Sequence, residues 1–175
     1  MDLASHLNQL DRESAARTLA GCCASRAWVA EMLARRPFAS TEDVFLAAAD
    51  VWAALGRYDF LEAFAGHPKI GEDLTALRER FAKTAGWSSE EQAGVTGASD
   101  AVLEELRGSN ISYHERFGYI FIVCATGKGA EEILELLKAR LLHDPDHELA
   151  VAAAEQAKIT RLRLEKLVNP SKEQA

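Results

Sequence analysis

Apolar residues recur at the spacing of an α-helix along most of this 175-residue chain. One such stripe, at 3.6 residues per turn, consists of Val44, Ala47, Ala48, Val51 and Leu55. The pattern predicts helices over residues 11–22, 25–36, 40–55, 59–66, about 74–86, 88–107, 131–142 and 146–168. We therefore expect an all-α fold, a compact single-domain bundle of about eight helices that covers residues 1–175.

Boundary residues separate these helices in the first third of the chain. Asp11, Ser25 and Ser40 can each accept hydrogen bonds from the unpaired N–H groups of a first helical turn. Pro37 ends the second helix, because a proline disfavours helical geometry in the residue before it. Gly56 suits the C-terminal cap of the helix that begins at Ser40.

One apolar run, residues 119–124 (YIFIVC), departs from helical periodicity. Its β-branched and aromatic residues suit a buried strand, but periodicity alone does not separate a buried strand from a buried helix. No second run of this kind offers a strand a partner. We therefore expect a buried loop-to-helix segment here.

The charge balance and the apolar runs limit the classes of partner. A formal net charge of −7 disfavours a nucleic-acid partner, and no apolar run approaches the roughly 20 residues that span a bilayer. The chain shows neither a secretory signal nor a peroxisomal tripeptide. These features predict a cytoplasmic protein without a membrane partner, and its polar tail, residues 169–175, is expected to fray.

The cysteine count does not suggest disulfide bonds. The chain has three cysteines, Cys22, Cys23 and Cys124, and two of them are adjacent. Buried thiols in a reducing compartment are the favoured interpretation. A catalytic Cys124 is the alternative, although no histidine or acid stands at a recognisable spacing from it.

His67 lies between Gly66 and Pro68, directly after a predicted helix end. Pro68 biases the histidine toward an extended backbone, and the neighbouring glycines let a ligand approach the main chain. Such a side chain can point into a cleft. From local spacing alone, a structural or surface histidine is still favoured over a catalytic one.

A second polar group consists of Ser88, Glu91 and Gln92. Ser88 and Glu91 have the spacing of a capping box, which is a sufficient structural reason for both. Gln92 could present an amide to a polar heterocycle, although polar residues at helix starts are usually solvated.

Two arginines in the last predicted helix, Arg161 and Arg163, are candidates for binding an anion. Arg163 lies four residues after Ile159 and shares its inward face, whereas Arg161 points away from that face. We therefore prefer Arg163, while Arg161 remains an alternative. A salt bridge to a structural glutamate is the default interpretation of a half-buried arginine.

Two weaker patterns do not support a phosphate or metal site. Residues 127–129 (GKG) lack the hydroxyl residue and upstream glycine of a phosphate loop. Residues 143–148 (HDPDHE) have metal-binding side chains, but Pro145 keeps the two histidines off one regular helical turn. We predict no metal site.

Taken together, the motifs resemble the family of 2-oxo-4-hydroxy-4-carboxy-5-ureidoimidazoline (OHCU) decarboxylases. The resemblance covers residues from about 10 to 167 and keeps the family's order. It is carried by residues 66–71 (GHPKIG), 88–94 (SSEEQAG), 113–122 (YHERFGYIFI), 140–141 (RL), Glu148, Glu155 and 158–164 (KITRLRL).

This resemblance implies an all-α homodimer that converts the ureidoimidazoline to (S)-allantoin and CO2 without a cofactor. His67, Glu91 and Arg163 would be the catalytic residues, with His67 as the proton donor. The resemblance implies that Pro68, Ser88, Gln92, Phe121 and Ile122 bind the substrate. Arg161 is added as a substrate-binding residue because the choice between the two arginines is open.

Two other functions remain open from the sequence. One is a lyase or hydrolase that acts on a different ureido or purine-derived substrate. The other is a non-enzymatic helical module, which would present an exposed apolar stripe rather than converging polar residues.

Overall fold

A computed structural model describes residues 1–67 and 99–169. These residues form eight α-helices and no strand, so the prediction of an all-α fold is confirmed. The helices are α1 (Leu3–Gln9), α2 (Arg12–Cys22), α3 (Arg26–Ala34), α4 (Thr41–Ala54), α5 (Arg57–Ala65), α6 (Asp100–Phe117), α7 (Ala130–Arg140) and α8 (Pro145–Lys166). Within this part of the chain, no helix is long and apolar enough to cross a bilayer.

The chain divides into two units. Of the described residues, the first unit contains Met1–His67 and residues 153–169, and the second contains residues 99–152. Helix α8 contributes residues to both. The extent of a single domain over residues 1–175 stays a prediction.

The three N-terminal caps predicted in the first unit are confirmed. The Asp11 carboxylate accepts from the backbone N–H groups of residues 13 and 14, at 3.0 and 2.9 Å. Ser25 and Ser40 accept from the third residue of α3 and α4, at 3.3 and 3.1 Å. Helix α1, which the periodicity did not predict, has Asp2 as its cap.

The prediction for Gly56 is wrong. Helix α4 ends at Ala54, and the extended backbone of Leu55 separates it from Gly56, which is the N-terminal cap of α5. Helix α5 begins at Arg57, two residues before the predicted start. Asp59 instead accepts the Gly56 N–H from inside the first turn, at 3.1 Å.

Buried tryptophans connect the helices of the first unit. Trp28 Nε1 donates to the carbonyl of Ala48 at 3.1 Å, and Trp52 Nε1 donates to the carbonyl of Ala153 at 2.9 Å. The second bond ties α4 to α8. The largest fully buried side chains of this unit are Leu3, Leu7, Leu19, Trp28, Met32, Phe64 and Leu164. Burial of each contributes about 1.5–3 kcal/mol.

Helix α6 of the second unit is longer than predicted at its C-terminal end. It continues to Phe117, whereas the prediction ended at Arg107. Gly108 is accommodated inside the helix, and the chain leaves it at Gly118, whose φ of +80° favours glycine. The aromatic rings of Tyr113 and Phe117, 4.7 Å apart, give the added turns a buried face.

Residues 119–124 form a buried loop with no regular hydrogen bonding, and the next helix begins only at Ala130. The rings of Tyr119 and Phe121 pack edge-on against Tyr113, at 5.8 and 5.2 Å between centroids. Side chains satisfy part of the loop backbone, because the carbonyl of Ile122 accepts from Arg140 at 2.7 Å. The predicted buried loop is therefore confirmed, whereas its helical part is absent. The helix predicted over 74–86, the start of the one over 88–107, and residues 170–175 of the tail lie outside the described residues.

Candidate active site

His67 follows directly on the C-terminal end of α5. Helix α5 ends at Ala65, Gly66 caps it, and the backbone N–H of His67 donates to the carbonyl of Phe64 at 3.1 Å. A Cβ atom on Gly66 would lie 2.4 Å from the Cβ of Ala24, in the connection between α2 and α3. The absence of a side chain at Gly66 therefore lets the end of α5 lie against this connection. This contact fixes the position of the His67 backbone.

The His67 ring is half-buried and contacts two side chains of α8. Its Nε2 lies 2.6 Å from Oε1 of Gln156, and its Nδ1 lies 3.4 Å from Nη2 of Arg163. The amide nitrogen of Gln156 donates in turn to the hydroxyl of Thr160 at 3.0 Å. Gln156 and Thr160 are buried. The structure thus places His67 beside Arg163, the arginine that the sequence favoured.

Gln156 and Thr160 were not among the residues singled out from the sequence. Together with Arg163 they stand at positions i, i+4 and i+7 of α8, which places all three on one face of the helix. Polar residues that repeat at this spacing within an otherwise Ala- and Leu-rich helix were the available signal.

Arg163 is held by main-chain carbonyls. Its Nη1 lies 3.3 Å from the carbonyl oxygen of Cys22 and 3.5 Å from that of Gly21, at the end of α2. The last carbonyls of a helix have no intrahelical partner and carry the negative end of the helix dipole. Among the described residues no carboxylate forms an ion pair with Arg163, so the expectation of a salt bridge to a structural glutamate is not met there.

Two neutral thiols lie next to Arg163. Burial raises the pKa of Cys22 to about 11, although the positive charge of Arg163 acts in the opposite direction. Burial likewise raises the pKa of Cys23, whose thiol also interacts with the hydroxyl of Thr160. None of the three cysteines forms a disulfide, and Cys124 is half-buried. The predicted buried state of Cys22 and Cys23 is confirmed.

Arg161 lies elsewhere on the first unit. Its guanidinium stacks over the ring of Phe45 at 4.1 Å, and its Nε donates to Glu165 at 3.2 Å. It borders a shallow apolar cavity of about 250 Å³ between α4 and α8, which Trp52 also lines. His67 and Arg163 are not among the residues that line this cavity.

Phe121 and Ile122 belong to the second unit, and both side chains are buried. The guanidinium of Arg140 lies 4.5 Å from the centre of the Phe121 ring and also binds the Ile122 carbonyl. Arg140 therefore contacts both residues, and the Phe121 ring also packs against Tyr113.

Glu148 accounts for several of the motif residues in the second unit. Its fully buried carboxylate accepts from Tyr113, from Arg140 Nε at 2.9 Å, and from Nδ1 of His143 at 2.8 Å. Burial is the main cause that raises the pKa of Tyr113, so its hydroxyl stays a donor. Arg140 and Glu148 therefore have a structural role. The ring of His143 packs edge-on against that of His147, and within the described ranges no three histidine, cysteine or acidic side chains are grouped for metal binding.

Pro68, Ser88, Glu91 and Gln92 lie outside the described residues. Their assignment to catalysis or substrate binding stays a prediction.

The model of the OHCU decarboxylase family matches residues 8–165. The chain belongs to this family. An OHCU decarboxylase from Amia calva is 34% identical over 142 residues, which cover 76% of this chain and 75% of that protein. A solved structure of OHCU decarboxylase in the presence of (S)-allantoin is 32% identical, with a TM-score of 0.68, and the match covers 90% of this chain and 98% of that one.

Longer relatives of this family are also similar. The uric acid degradation bifunctional protein TTL of Arabidopsis thaliana is 38% identical over 83% of this chain. The chain spans 45% of that protein and 32% of the corresponding bifunctional protein of Bacillus subtilis. A structure of (S)-allantoin synthase, 20% identical with a TM-score of 0.67, shows the same fold.

Proposed function

We propose that this chain decarboxylates OHCU to (S)-allantoin and CO2. The contact between Nδ1 of His67 and the guanidinium of Arg163, 3.4 Å apart within one unit, is the observation that supports the proposal most directly. It joins a group that can transfer a proton to a cation that can bind a carboxylate. Family membership adds the substrate, because the relatives that this chain matches are named for this reaction.

The reaction needs few functional groups from the protein. The bond between the ring carbon and the carboxylate breaks, CO2 leaves, and the electron pair moves into the conjugated C=N group of the substrate. Since the substrate provides this electron sink, we propose that no cofactor is needed. The carbon that lost CO2 becomes a carbonyl carbon of allantoin as its hydroxyl proton leaves, while the ring nitrogen and the neighbouring ureido-bearing carbon each gain a proton. One proton is therefore consumed for each CO2 released. The protein must hold the ring and deliver a proton to one face of the ureido-bearing carbon.

His67 would be the proton donor, and Arg163 would anchor the anionic group of the substrate. Glu91, as the third catalytic residue, would orient the imidazole or bind ring N–H groups. Assignment of Pro68, Ser88, Gln92, Phe121 and Ile122 to substrate binding stays a prediction, as does the role of Arg161.

The decisive experiment follows the circular dichroism of allantoin formed from freshly generated OHCU. His67→Asn should lower turnover by about 100-fold or more, because acid–base groups contribute about 10²–10⁴-fold to such reactions. His114→Asn, at an exposed position of α6, provides the matched control and should behave as wild type. Dialysis against a chelator should leave the wild-type rate unchanged.

Near-normal turnover by His67→Asn in a folded protein would contradict the role of His67. Wild-type protein that formed allantoin no faster than spontaneous decay would contradict the whole proposal and favour an interaction module.

We also propose a cytoplasmic homodimer. Sedimentation equilibrium tests the dimer, and cell fractionation tests the location.

A further inference from the structure

Gln156 is a buried amide that the proposed chemistry does not yet use. Its carbonyl oxygen lies 2.6 Å from Nε2 of His67, and its amide nitrogen donates to Oγ1 of Thr160 at 3.0 Å. Both Gln156 and Thr160 are buried in the first unit. An amide with a partner at each end has a defined orientation in such a place, because a reversed orientation requires both partners to exchange donor and acceptor roles.

Arg163 determines which orientation that is. A guanidinium has only N–H donors, so Nδ1 of His67, 3.4 Å from Nη2 of Arg163, must be the acceptor. A neutral imidazole that accepts at Nδ1 carries its hydrogen on Nε2. Nε2–H then donates to the carbonyl oxygen of Gln156, and the amide N–H of Gln156 donates to Thr160. The hydrogen-bonding capacities of Arg163, Gln156 and Thr160 therefore agree on one tautomer.

We propose that Gln156 is a positioning residue that keeps a proton on Nε2 of His67, so that Nδ1 is the nitrogen that exchanges protons with the substrate. The part that concerns the substrate rests on the proposed function. The oxygen of Gln156 accepts from Nε2–H in both the neutral and the cationic ring. Once Arg163 donates to the anionic group of the substrate instead, Nδ1 can take a proton from solvent and pass it to the ureido-bearing ring carbon while Nε2 keeps its partner.

The two thiols beside Arg163, in the part of the chain that the structure describes, are neutral. The thiols of Cys22 and Cys23 stay protonated near neutral pH, because burial raises the pKa of both. Glu62 lies near Cys23 but is paired with Arg26. Arg163 is a charged side chain that contacts the His67 ring directly.

The proposal can be tested by NMR without any substrate. In the wild-type protein, ring ¹⁵N shifts of His67 should show hydrogen on Nε2 and an unprotonated Nδ1. The midpoint of the His67 titration should rise in Gln156→Glu, because a carboxylate stabilises the cationic ring, and fall in Gln156→Leu, which offers no acceptor. Lys158→Gln changes the net charge by the same amount as Gln156→Glu, at an exposed position of α8, and should leave the midpoint in place.

Turnover gives a second, separate readout. Gln156→Leu should lower kcat by roughly 10- to 100-fold, less than the full contribution of an acid–base group, with KM changed less than about twofold. Gln156→Glu should retain more turnover than Gln156→Leu and shift the alkaline limb of its pH profile upward. If Gln156→Leu does not fold, the titration and pH profile of Gln156→Glu decide the matter.

A wild-type ring with hydrogen on Nδ1 would overturn the proposal, as would His67 midpoints that are the same in Gln156→Glu and the wild type. Failure of the proposed function would look different. In that case His67→Asn would keep its turnover, while the tautomer and the order of the titration midpoints would still report on Gln156.

Discussion

Among residues 1–67 and 99–169, Arg163 contacts backbone carbonyls and the His67 ring rather than a carboxylate, and this distinguishes it from a structural arginine such as Arg140. The carbonyls of Gly21 and Cys22 orient the guanidinium but carry only partial negative charge. Arg140, in contrast, is paired with the full charge of the buried Glu148. The described residues therefore leave most of the positive charge of Arg163 uncompensated.

We expect the two arginines of α8 to differ when each is replaced. Arg163→Gln should lower kcat/KM by about 10- to 100-fold, because a hydrogen bond to a charged group contributes about 1.5–3 kcal/mol. Arg161→Gln should lower it less than about fivefold, because Arg161 stacks on Phe45 and bonds to Glu165. Initial rates on fresh OHCU check both variants. A larger loss in Arg161→Gln would mean that Arg161 is the arginine that binds substrate.

At this scale, the sequence predicts residues whose chemistry is conspicuous and misses those that act through a neighbour. His67 and Arg163 stand out because an imidazole after a helix end and a guanidinium on an inward face both need a reason. Gln156 and Thr160 carry no charge, and although they bond to each other within α8, the other partner of Gln156 is distant in sequence. Only the fold shows that Gln156 meets an imidazole 89 residues away.

At the scale of elements, Glu148 joins several parts of the second unit. Its carboxylate binds Tyr113 of α6, Arg140 of α7 and His143 before α8, and Arg140 also reaches the 119–124 loop. A buried ion pair of this kind adds little net stability, although removal of one partner typically costs about 3–5 kcal/mol. The network therefore constrains how these elements pack together.

The close approach of α5 to the α2–α3 connection gives an element-scale prediction. Gly66→Ala should lower the free energy of unfolding by about 1–3 kcal/mol and reduce turnover, because the new Cβ would overlap Ala24 and move the end of α5 that carries His67. Urea unfolding and the allantoin assay measure the two effects.

The chain offers two matched controls for this change. Gly21→Ala adds the same methyl group inside α2 where no atom lies within 4 Å, so it should be neutral or stabilise by up to about 1 kcal/mol. Ala24→Gly combined with Gly66→Ala removes the opposing methyl group and should recover most of the loss. If Gly66→Ala alone behaved as wild type, the contact with Ala24 would not position His67.

Helix starts were more predictable than helix ends in this chain. The caps Asp11, Ser25 and Ser40 act within three residues, so the local sequence contains the whole interaction. The end of α6 depends instead on aromatic rings of the 119–124 loop, which cover its last turns. Gly56 was misassigned because a glycine suits either end of a helix, and the extended Leu55 decided between them.

At the scale of the whole molecule, the alkaline stability of the fold should depend on Cys22. Its pKa of about 11 in the folded chain exceeds the ordinary value of 9.0, so the unfolded chain loses this proton first as pH rises. The stabilisation that the protonated Cys22 thiol gives the fold is fully present below pH 9. It is lost between pH 9 and about 11, by roughly 1.4 kcal/mol per pH unit.

Urea unfolding of the wild type and of Cys22→Ala from pH 7 to 10.5 tests this dependence. Above pH 9, the free energy of unfolding of the variant should decline less steeply with pH, and the difference in slope should correspond to about one proton. The difference in this free energy between the two proteins at pH 7 reports packing alone. Parallel declines for the two proteins would mean that the thiol ionises equally in both states.

The partial charges around Arg163 have a further consequence for the catalytic cycle. Under the proposed function, an anion enters the site, and its charge departs when CO2 leaves and the carbon is protonated. The electrostatic attraction between Arg163 and the substrate is therefore lost once the reaction is complete, since allantoin is neutral. Turnover would then not be held back by accumulated allantoin, which should compete poorly with incoming OHCU.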